Sequence, residues 1–348
     1  MIKNSASIPA ANKPTIRDIA LACGVSQATV SYVINNKRVL KAETRERVRQ
    51  AMRDMSYHPS AVARGLSSKS VQTIGVFFGV VGTPDLMGNP YSSGILSGIL
   101  AAAARENLNV TLYTSSWENA TVSAPPMSDG RSDGVIAVAP ATESGIVEGL
   151  CGTGTPVVGI STGKSIIAPE VDVDNYAGLR MATQHLLDLG HRRIAFLMGD
   201  ADLASFAPRK AGFCDALAQA GVPLAPEFLV ESSFTAQPTE LQTQKLLQHV
   251  QRPTAIIGGN DAIALAAIKA ARKVGLKVPH DLSVVGFDDS AIASLSTPGL
   301  TTVRQPLFDI GSTAAELLVG QIRSKGGENT SHFLAPELIV RGTTAPHG

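Results

Sequence analysis

Gln27 and Ala28, followed by Thr29, Ser31, Tyr32 and Asn35, gather a bidentate amide, a methyl group and short polar side chains onto one predicted helix. A Gln amide can donate to adenine N7 while accepting from adenine N6, and an Ala methyl can meet the methyl of thymine. Thr29, Ser31 and Asn35 suit phosphate oxygens, contacts that fix register without reading sequence. Thr15 and Ser26, at the starts of two successive helices, complete a candidate DNA-contacting set.

That chemistry needs a helix held out from a small core. Thr15-Ile16-Arg17-Asp18 has the S/T-x-x-D/E form of a helix start. Ile16, Ile19 and Ala20 then recur at helical spacing, and Gly24 ends the run. Ser26 can cap a second helix reaching about Asn35, whose apolar face is Val30, Val33 and Ile34. A third helix, Glu43 to Met55, turns Val48, Ala51, Met52 and Met55 inward. Two short helices joined by a tight Gly-containing turn make a helix-turn-helix, whose second helix enters the major groove.

Charge points the same way. Residues 1–70 hold 12 Lys+Arg against 4 Asp+Glu, and the other 278 hold 18 against 25, so a net charge of +1 hides a basic head on an acidic body. Such a head meets phosphates while the body stays clear of them. The other reading, that Arg45, Arg47, Arg49 and Arg53 only solvate a helix face, is weaker beside the helix-turn-helix.

A length of 348 residues implies two or three domains. No uninterrupted run of 18 apolar residues is present, so no membrane span is expected. Residues 1–13 are Ser/Ala/Asn/Pro-rich and are expected to be a disordered lead, not a signal peptide. Cys23, Cys151 and Cys214 lack metal-ligand spacing and are read as reduced core thiols in a cytoplasmic protein. No motif calls for a cofactor.

From Val71 the pattern alternates short β-branched runs (74–80, 109–114, 134–139, 156–160, 193–198, 255–258, 283–287) with helical stretches (92–107, 177–189, 209–220, 262–274, 307–322). This predicts βαβ units in parallel sheets, too many strands for one sheet, and hence two doubly wound lobes. Ligands in such folds sit at the carboxyl ends of the strands.

The chain resembles the lactose-repressor/galactose-repressor family of bacterial transcription regulators from Pro14 to Thr344. The resemblance rests on T-I-R-D-I-A (15–20), G-V-S-Q-A-T-V-S (24–31), T-R-E-R-V (44–48), Y-H-P-S-A-V-A-R-G-L (57–66) and N-P-Y (89–91). D-G-V-I (133–136), V-D-V-D-N-Y-A-G through H-L-L-D-L-G-H-R-R-I-A-F-L (171–197), R-P-T-A-I (252–256), V-P-H-D-L-S-V-V-G-F-D-D (278–289) and L-T-T-V-R-Q-P (300–306) follow in order. It implies an all-α helix-turn-helix head (14–57), a hinge (58–70) and an α/β effector-binding and dimerisation body (71–344) with two lobes of the periplasmic-binding-protein type. Lobe one would take about 71–170 and 300–330, and lobe two about 171–299 and 331–344. Family members often carry Arg or His where Tyr32 stands, which leaves the half-site sequence open. Packing against the helix stem is the other reading of Tyr32.

The hinge, Ser60 to Ser68, is too short to be a stable helix alone and contains Gly65, so it is expected to form only when docked and paired with a twin. The resemblance implies that Leu66 wedges into the minor groove, with Ala63 and Ser67 beside it on the DNA; linker packing is the alternative for Leu66. It further implies effector contacts from Arg209, Asn260, Asp288 and the aromatic Phe234, with Asn89 and Tyr91 closing from the first lobe. Asp288 and Asp289 could instead be caps or turn residues, and Arg209 a lobe-stabilising ion-pair partner. Between Tyr113 and Asp133 the chain is shorter than the family pattern. Pro125-Pro126 resists helix there, so the second helix of lobe one is expected to be truncated or missing. Trp117 either lines the pocket or plugs that gap.

The partners implied are a double-stranded, near-palindromic operator, a second copy of the chain and a small effector, a sugar by preference or a purine-type co-repressor or protein co-effector. The C-terminus shows no Leu heptads, so a dimer is expected. A transporter-feeding solute receptor would use the same body but not the head. An enzyme is not expected: no G-x-S-x-G nucleophile elbow is anticipated, HExxH and a strand-following GxGxxG are absent, and the seven histidines are scattered.

Overall fold

The computed structural model describes residues 14–35, 40–58, 70–79, 87–163, 167–232, 236–324 and 329–348, and the chain divides into two compact units at Gln72/Thr73. Phe234 and the hinge residues Ala63, Leu66 and Ser67 lie outside the described residues.

The first unit is helical: α1 (Ile16–Cys23), α2 (Gln27–Asn35) and α3 (Ala42–Asp54). Asp18 reaches back to the Thr15 amide at 2.8 Å, the capping contact the sequence called for. Gly24 adopts the left-handed conformation (φ 63°), and the Val25 amide returns to the Ala20 carbonyl at 3.0 Å, which stops α1 within one residue. Ser26 Oγ then accepts the Thr29 amide at 3.1 Å and starts α2. Ile19, Ala20, Cys23, Val30, Val33 and Val48 form the buried core.

The second unit carries two six-stranded sheets. The elements of the first lobe are β1 (Thr73–Phe78), α4 (Pro90–Arg105), β2 (Asn109–Tyr113), α5 (Ala120–Met127), β3 (Val135–Val138), α6 (Ile146–Gly152), β4 (Val157–Ile160) and β5 (Glu170–Val173). The second lobe begins with α7 (Asn175–Asp188), β6 (Ile194–Leu197), α8 (Phe206–Gln219), β7 (Leu229–Val230) and α9 (Ala236–Leu247). It continues through β8 (Ala255–Gly258), α10 (Asp261–Lys273), β9 (Ser283–Asp288), α11 (Ala291–Leu295) and β10 (Thr301–Arg304). The chain then runs α12 (Leu307–Ser324), β11 (Ser331–Leu334) and β12 (Glu337–Ile339). Strand order is β11-β5-β4-β3-β1-β2 in one sheet and β12-β10-β9-β8-β6-β7 in the other. All pairings are parallel except β10 with β12. The central strands are buried on both faces, as helix-covered parallel sheets require.

Sheet membership corrects the expected lobe boundaries. β5 and β11 belong to the first sheet and β10 to the second, so each crossing falls one strand later than the motif boundaries suggest. The reason is backbone pairing: each strand completes a ladder with its neighbour before the chain can leave the sheet.

The second helix of lobe one is truncated, not missing. Asn119 caps α5 by accepting from Thr121 and Val122 amides at 3.0 and 3.1 Å, and Pro125 and Pro126 fall in its last turn, where few amide bonds remain to be lost. Trp117 fills the space beside it. Its indole donates to the Ser144 carbonyl at 2.7 Å and its ring stands edge-on to Phe77, in the cluster that includes Ala124, Met127 and Ile146.

Helices α4 and α12 cross backbone to backbone. A Cβ at Gly98 would lie 2.0 Å from the Phe308 carbonyl oxygen, whereas Gly320 on α12 meets nothing within 4 Å. Gly98→Ala should therefore destabilise the second unit by about 2 kcal/mol or more. Gly320→Ala should be neutral or gain about 0.5–1 kcal/mol from helix propensity. Urea unfolding of the two variants checks both, and equal effects would contradict the close crossing.

Candidate DNA-reading helix and inter-lobe effector site

On α2, Val30 and Val33 are buried, while Gln27 and Ala28 at its first turn are exposed. Thr29, Ser31 and Tyr32 are half-buried on the flanks. Gln27 and Ala28 thus stand at the end that a recognition helix inserts first. Thr15 and Ser26 occupy the starts of α1 and α2, where each side chain caps its own helix. Thr15 also gives its hydroxyl to Asp18 at 2.7 Å, and these bonds hold the Asp18 carboxyl below its usual range. Asn35 closes α2.

The body brings candidate effector residues together at the carboxyl ends of the strands. Arg209, on the first turns of α8, is 8 % exposed. Its Nε donates to Asn175 Oδ1 at 2.8 Å and its Nη1 to the Gly259 carbonyl at 2.6 Å, and its guanidinium lies 3.8 Å above the Phe287 ring. Among the described residues no carboxylate lies within ion-pair distance of it, so the ion-pair reading of Arg209 falls away. Tyr91, in the first turn of α4, bonds Ser161 through its hydroxyl at 2.8 Å. Ser161 donates to Asp172 Oδ1 at 2.8 Å, and Asp172 Oδ2 accepts the Asn175 amide at 3.0 Å. A continuous chain of hydrogen bonds therefore runs from α4 of the first lobe to α8 of the second.

Asp288 ends β9 at φ 123°, and its Oδ1 accepts from Gln305 at 2.6 Å. Asp289 beside it holds Arg304 at 2.8 Å and Arg341 at 2.6 Å, a structural role. Asn89 and Asn260 adjoin the cluster but spend their carbonyl oxygens as helix caps. Asn89 accepts from the Tyr91 and Ser92 amides at 3.0 and 3.4 Å, and Asn260 from the Ile263 amide at 2.8 Å. A cavity of about 540 Å³ opens beside Asp172 and Asn175, with Tyr176, Ala204, Pro208 and Phe333 in its walls. That volume is in the range of small-molecule sites.

Burial dominates the electrostatics. It pushes Asp288 up to about 7, with Asp261 adding to the rise and Arg209 and Gln305 opposing it. It pushes Asp172 up to about 6, against the Ser161 hydroxyl, the Val173 amide and Arg209. Desolvation lowers Arg209, and the carboxylates of Asp288 and Asp172 offset part of that loss. Desolvation and the Asp172 charge raise the Tyr91 phenol.

Ser161, Asp172, Asn175 and Gln305 join the candidate site through their hydrogen bonds, and pattern reading missed them. A carboxylate within the uniformly buried β5 was the available signal for Asp172. For Ser161 the signal is Gly159-Ile160-Ser161-Thr162-Gly163, which has the G-x-S-x-G spacing of a hydrolase nucleophile elbow. Ser161 even has φ 51° at a strand end, but no helix stands among the described residues between β4 and β5. Its hydrogen-bond partners are Tyr91 and Asp172, and no histidine stands among them. Among the described residues no group of three or more His, Cys, Asp or Glu could hold a metal ion.

A helix-turn-helix unit followed by two Rossmann-like lobes with a polar network between them defines a DNA-binding regulator with a ligand-binding body. Residues 15–60 match the model of bacterial regulatory proteins of the lacI family, and residues 183–344 match a periplasmic binding protein-like domain. The chain is 34 % identical over 336 residues to the transcriptional repressor PurR of Erwinia tasmaniensis, covering 95 % of this chain and 97 % of that one. The Lac repressor dimer bound to operator and the anti-inducer ONPF superposes with a TM-score of 0.84 at 28 % identity, over 96 % of this chain and 100 % of that one. The transcriptional regulator CelR in complex with cellobiose gives 0.73 at 29 % identity, over 95 % and 99 %. The chain belongs to the lacI family of bacterial transcriptional regulators. Among the described residues no helix is long and apolar enough to cross a membrane.

Because Asp288 titrates higher in the folded state than in the unfolded chain, folding takes up a proton there. The stabilisation is full below the ordinary carboxylate range and is lost as pH rises through about 7. Asp288→Asn should therefore stabilise the second unit at about pH 8, on the order of 1 kcal/mol, and leave it nearly unchanged at about pH 4. Urea unfolding at both pH values reads this directly, and an equal effect at both would place Asp288 in the ordinary range.

Proposed function

We propose that the chain is a homodimeric repressor whose hold on a near-palindromic operator is set by a small polyhydroxylated metabolite, a sugar by preference, bound between the two lobes. It works in the cytoplasm on double-stranded DNA and performs no catalysis. The observation that carries this reading is the polar path from Tyr91 through Ser161, Asp172 and Asn175 to Arg209. Hydroxyl, carboxylate, amide and guanidinium groups converging from both lobes are what a polyol needs, and the Phe287 ring lies against the planar guanidinium and holds it in place. The relatives support the same reading: one is a repressor dimer on its operator and another is held in complex with a disaccharide.

A ligand bridging two lobes favours one angle between them, and by linkage it alters operator affinity by the factor by which operator alters its own. On DNA, Gln27 and Ala28 read bases, Thr15, Ser26, Thr29, Ser31 and Asn35 hold phosphates, and Leu66 opens the central step with Ala63 and Ser67 beside it.

Selection of bound duplexes from a random library by the full-length chain should enrich a near-palindrome with a flexible central step. Leu66→Ala should then lose about tenfold or more in affinity for that site, since a lost wedge forfeits the bend. Full affinity in this variant would remove the wedge. A metabolite screen scored by release from, or tightening on, the selected site identifies the effector. Arg209→Ala and Asp288→Ala should each weaken its effect at least tenfold while operator binding without effector persists. Unchanged effector response in both variants would sink the inter-lobe site and leave the DNA assignment standing.

A further inference from the structure

Asp172 is 6 % exposed on β5, and it is the only group shared by the two arms of the inter-lobe network among the described residues. Its Oδ1 accepts the Ser161 hydroxyl and the Val173 amide, both at 2.8 Å, and its Oδ2 accepts Asn175 Nδ2 at 3.0 Å.

The directions of these bonds are forced. The Nε–H of Arg209 can only donate, so it turns the carbonyl oxygen of Asn175 toward α8 and the amide NH2 toward β5. Residue 172 must then accept. On the other arm Ser161 spends its single hydroxyl proton on Asp172. The 2.8 Å contact between Tyr91 and Ser161 must therefore be donated by the phenol. Tyr91 is left with lone pairs only.

We propose that Asp172 is the positioning residue of the inter-lobe site, a single carboxylate that fixes the hydrogen-bond polarity of Ser161 and Tyr91 in the first lobe and holds the Asn175 side chain that receives Arg209 in the second. The role of Tyr91 and Arg209 as effector contacts rests on the reading given above; the polarity of the network does not. Where that reading holds, the ligand group that meets Tyr91 is a donor, such as a sugar hydroxyl or an amine.

The charged and titratable groups around Asp172 are Glu170 on its own strand, Tyr91 of α4, Arg209 of α8 and, beyond the guanidinium, Asp288 of β9. Burial and Glu170 raise the carboxyl to about 6 against the pull of Ser161, Val173 and Arg209. A proton taken up at Oδ1 reverses one arm only. Asp172 would then donate to Ser161, Ser161 to Tyr91, and the phenol proton would be freed. Oδ2 would still accept from Asn175, so the arm to Arg209 would stay.

Hydrogen exchange on the ligand-free, full-length chain tests this without knowledge of the effector. Asp172→Asn keeps an acceptor for Ser161 but sets an NH2 against the NH2 of Asn175. It should raise exchange about tenfold at the starts of α7 and α8 and leave residues 89–93 unchanged. Ser161→Ala, a mild change that leaves the carboxylate in place, should do the converse. Protection at residues 89–93, corrected for intrinsic rates, should shift between about pH 5 and pH 7 in the native chain and not in Asp172→Asn. The proposal is overturned if both variants loosen the same segments, if Asp172→Asn loosens neither, or if the pH-dependent shift survives it. A substitution that merely disturbed the core would loosen both segments alike. Unaltered exchange in β8 and α10 confirms that each variant is folded.

Discussion

A guanidinium taken out of water is the constraint on which the second unit is organised. Arg209 cannot lose its proton at any accessible pH, so burying it to 8 % exposure would be costly without partners on every side. The fold supplies them from four elements: an amide oxygen at the start of α7, a carbonyl after β8, the Phe287 face of β9 and the nearby negative charges of Asp172 and Asp288. Gly259 and Phe287 converge because β8 and β9 run parallel in one sheet and end together, while Asp172 and Asn175 come from the end of β5 in the other parallel sheet. Parallel sheets are thus the device that lets so many chain segments converge on one cation.

The corner after β9 shows how the surroundings hold strain at this place. Asp288 and Asp289 both have positive φ, an arrangement that side-chain-bearing residues adopt only when the structure around them over-determines it. Gln305 holds Asp288, while Arg304 and Arg341 hold Asp289 from two sides. Asp261 is itself raised by burial, and it takes the Ser290 amide and hydroxyl at 2.7 and 2.6 Å and the Thr302 hydroxyl at 2.6 Å. The segment after β12 joins in: Thr343 is fully buried, receives the Thr301 amide and donates to the Val284 carbonyl. Arg341 therefore braces the corner that presents Asp288, while Thr343 ties together the beginnings of β9 and β10.

Much of this was legible in the residues. The helix start at Thr15, the stop at Gly24 and the apolar stripes of α1 to α3 are local signals, and local signals survive folding. The strand–helix alternation after Val71 likewise fixes a parallel α/β body. What stayed hidden depends on pairing between distant segments. Which sheet takes β5, β10 and β11 is decided by ladders to partners far along the chain, and short motifs at the crossings do not record them. Pro125 and Pro126 leave two outcomes open, a shortened helix or none, and the helix is shortened because both fall in the last turn of 8 residues that have almost no interior.

The site divides along the same line. Arg209, Asp288 and Tyr91 sit in recognisable segments, so their types and positions could be named from the chain. Asn89 and Asn260 could be named too, yet their carbonyl oxygens belong to helix amides, a use that spacing alone does not separate from ligand contact. Ser161, Asp172 and Asn175 matter for a different reason, which is the direction of their hydrogen bonds. Direction is set at two members: Arg209, which cannot accept, orients Asn175, and the Asp172 carboxylate, on which both arms converge as donors, orients Ser161 and through it Tyr91. A sequence records which groups are present. It does not record which of them is compelled to give its proton to which, and in a network joining two lobes that order decides what a ligand must offer.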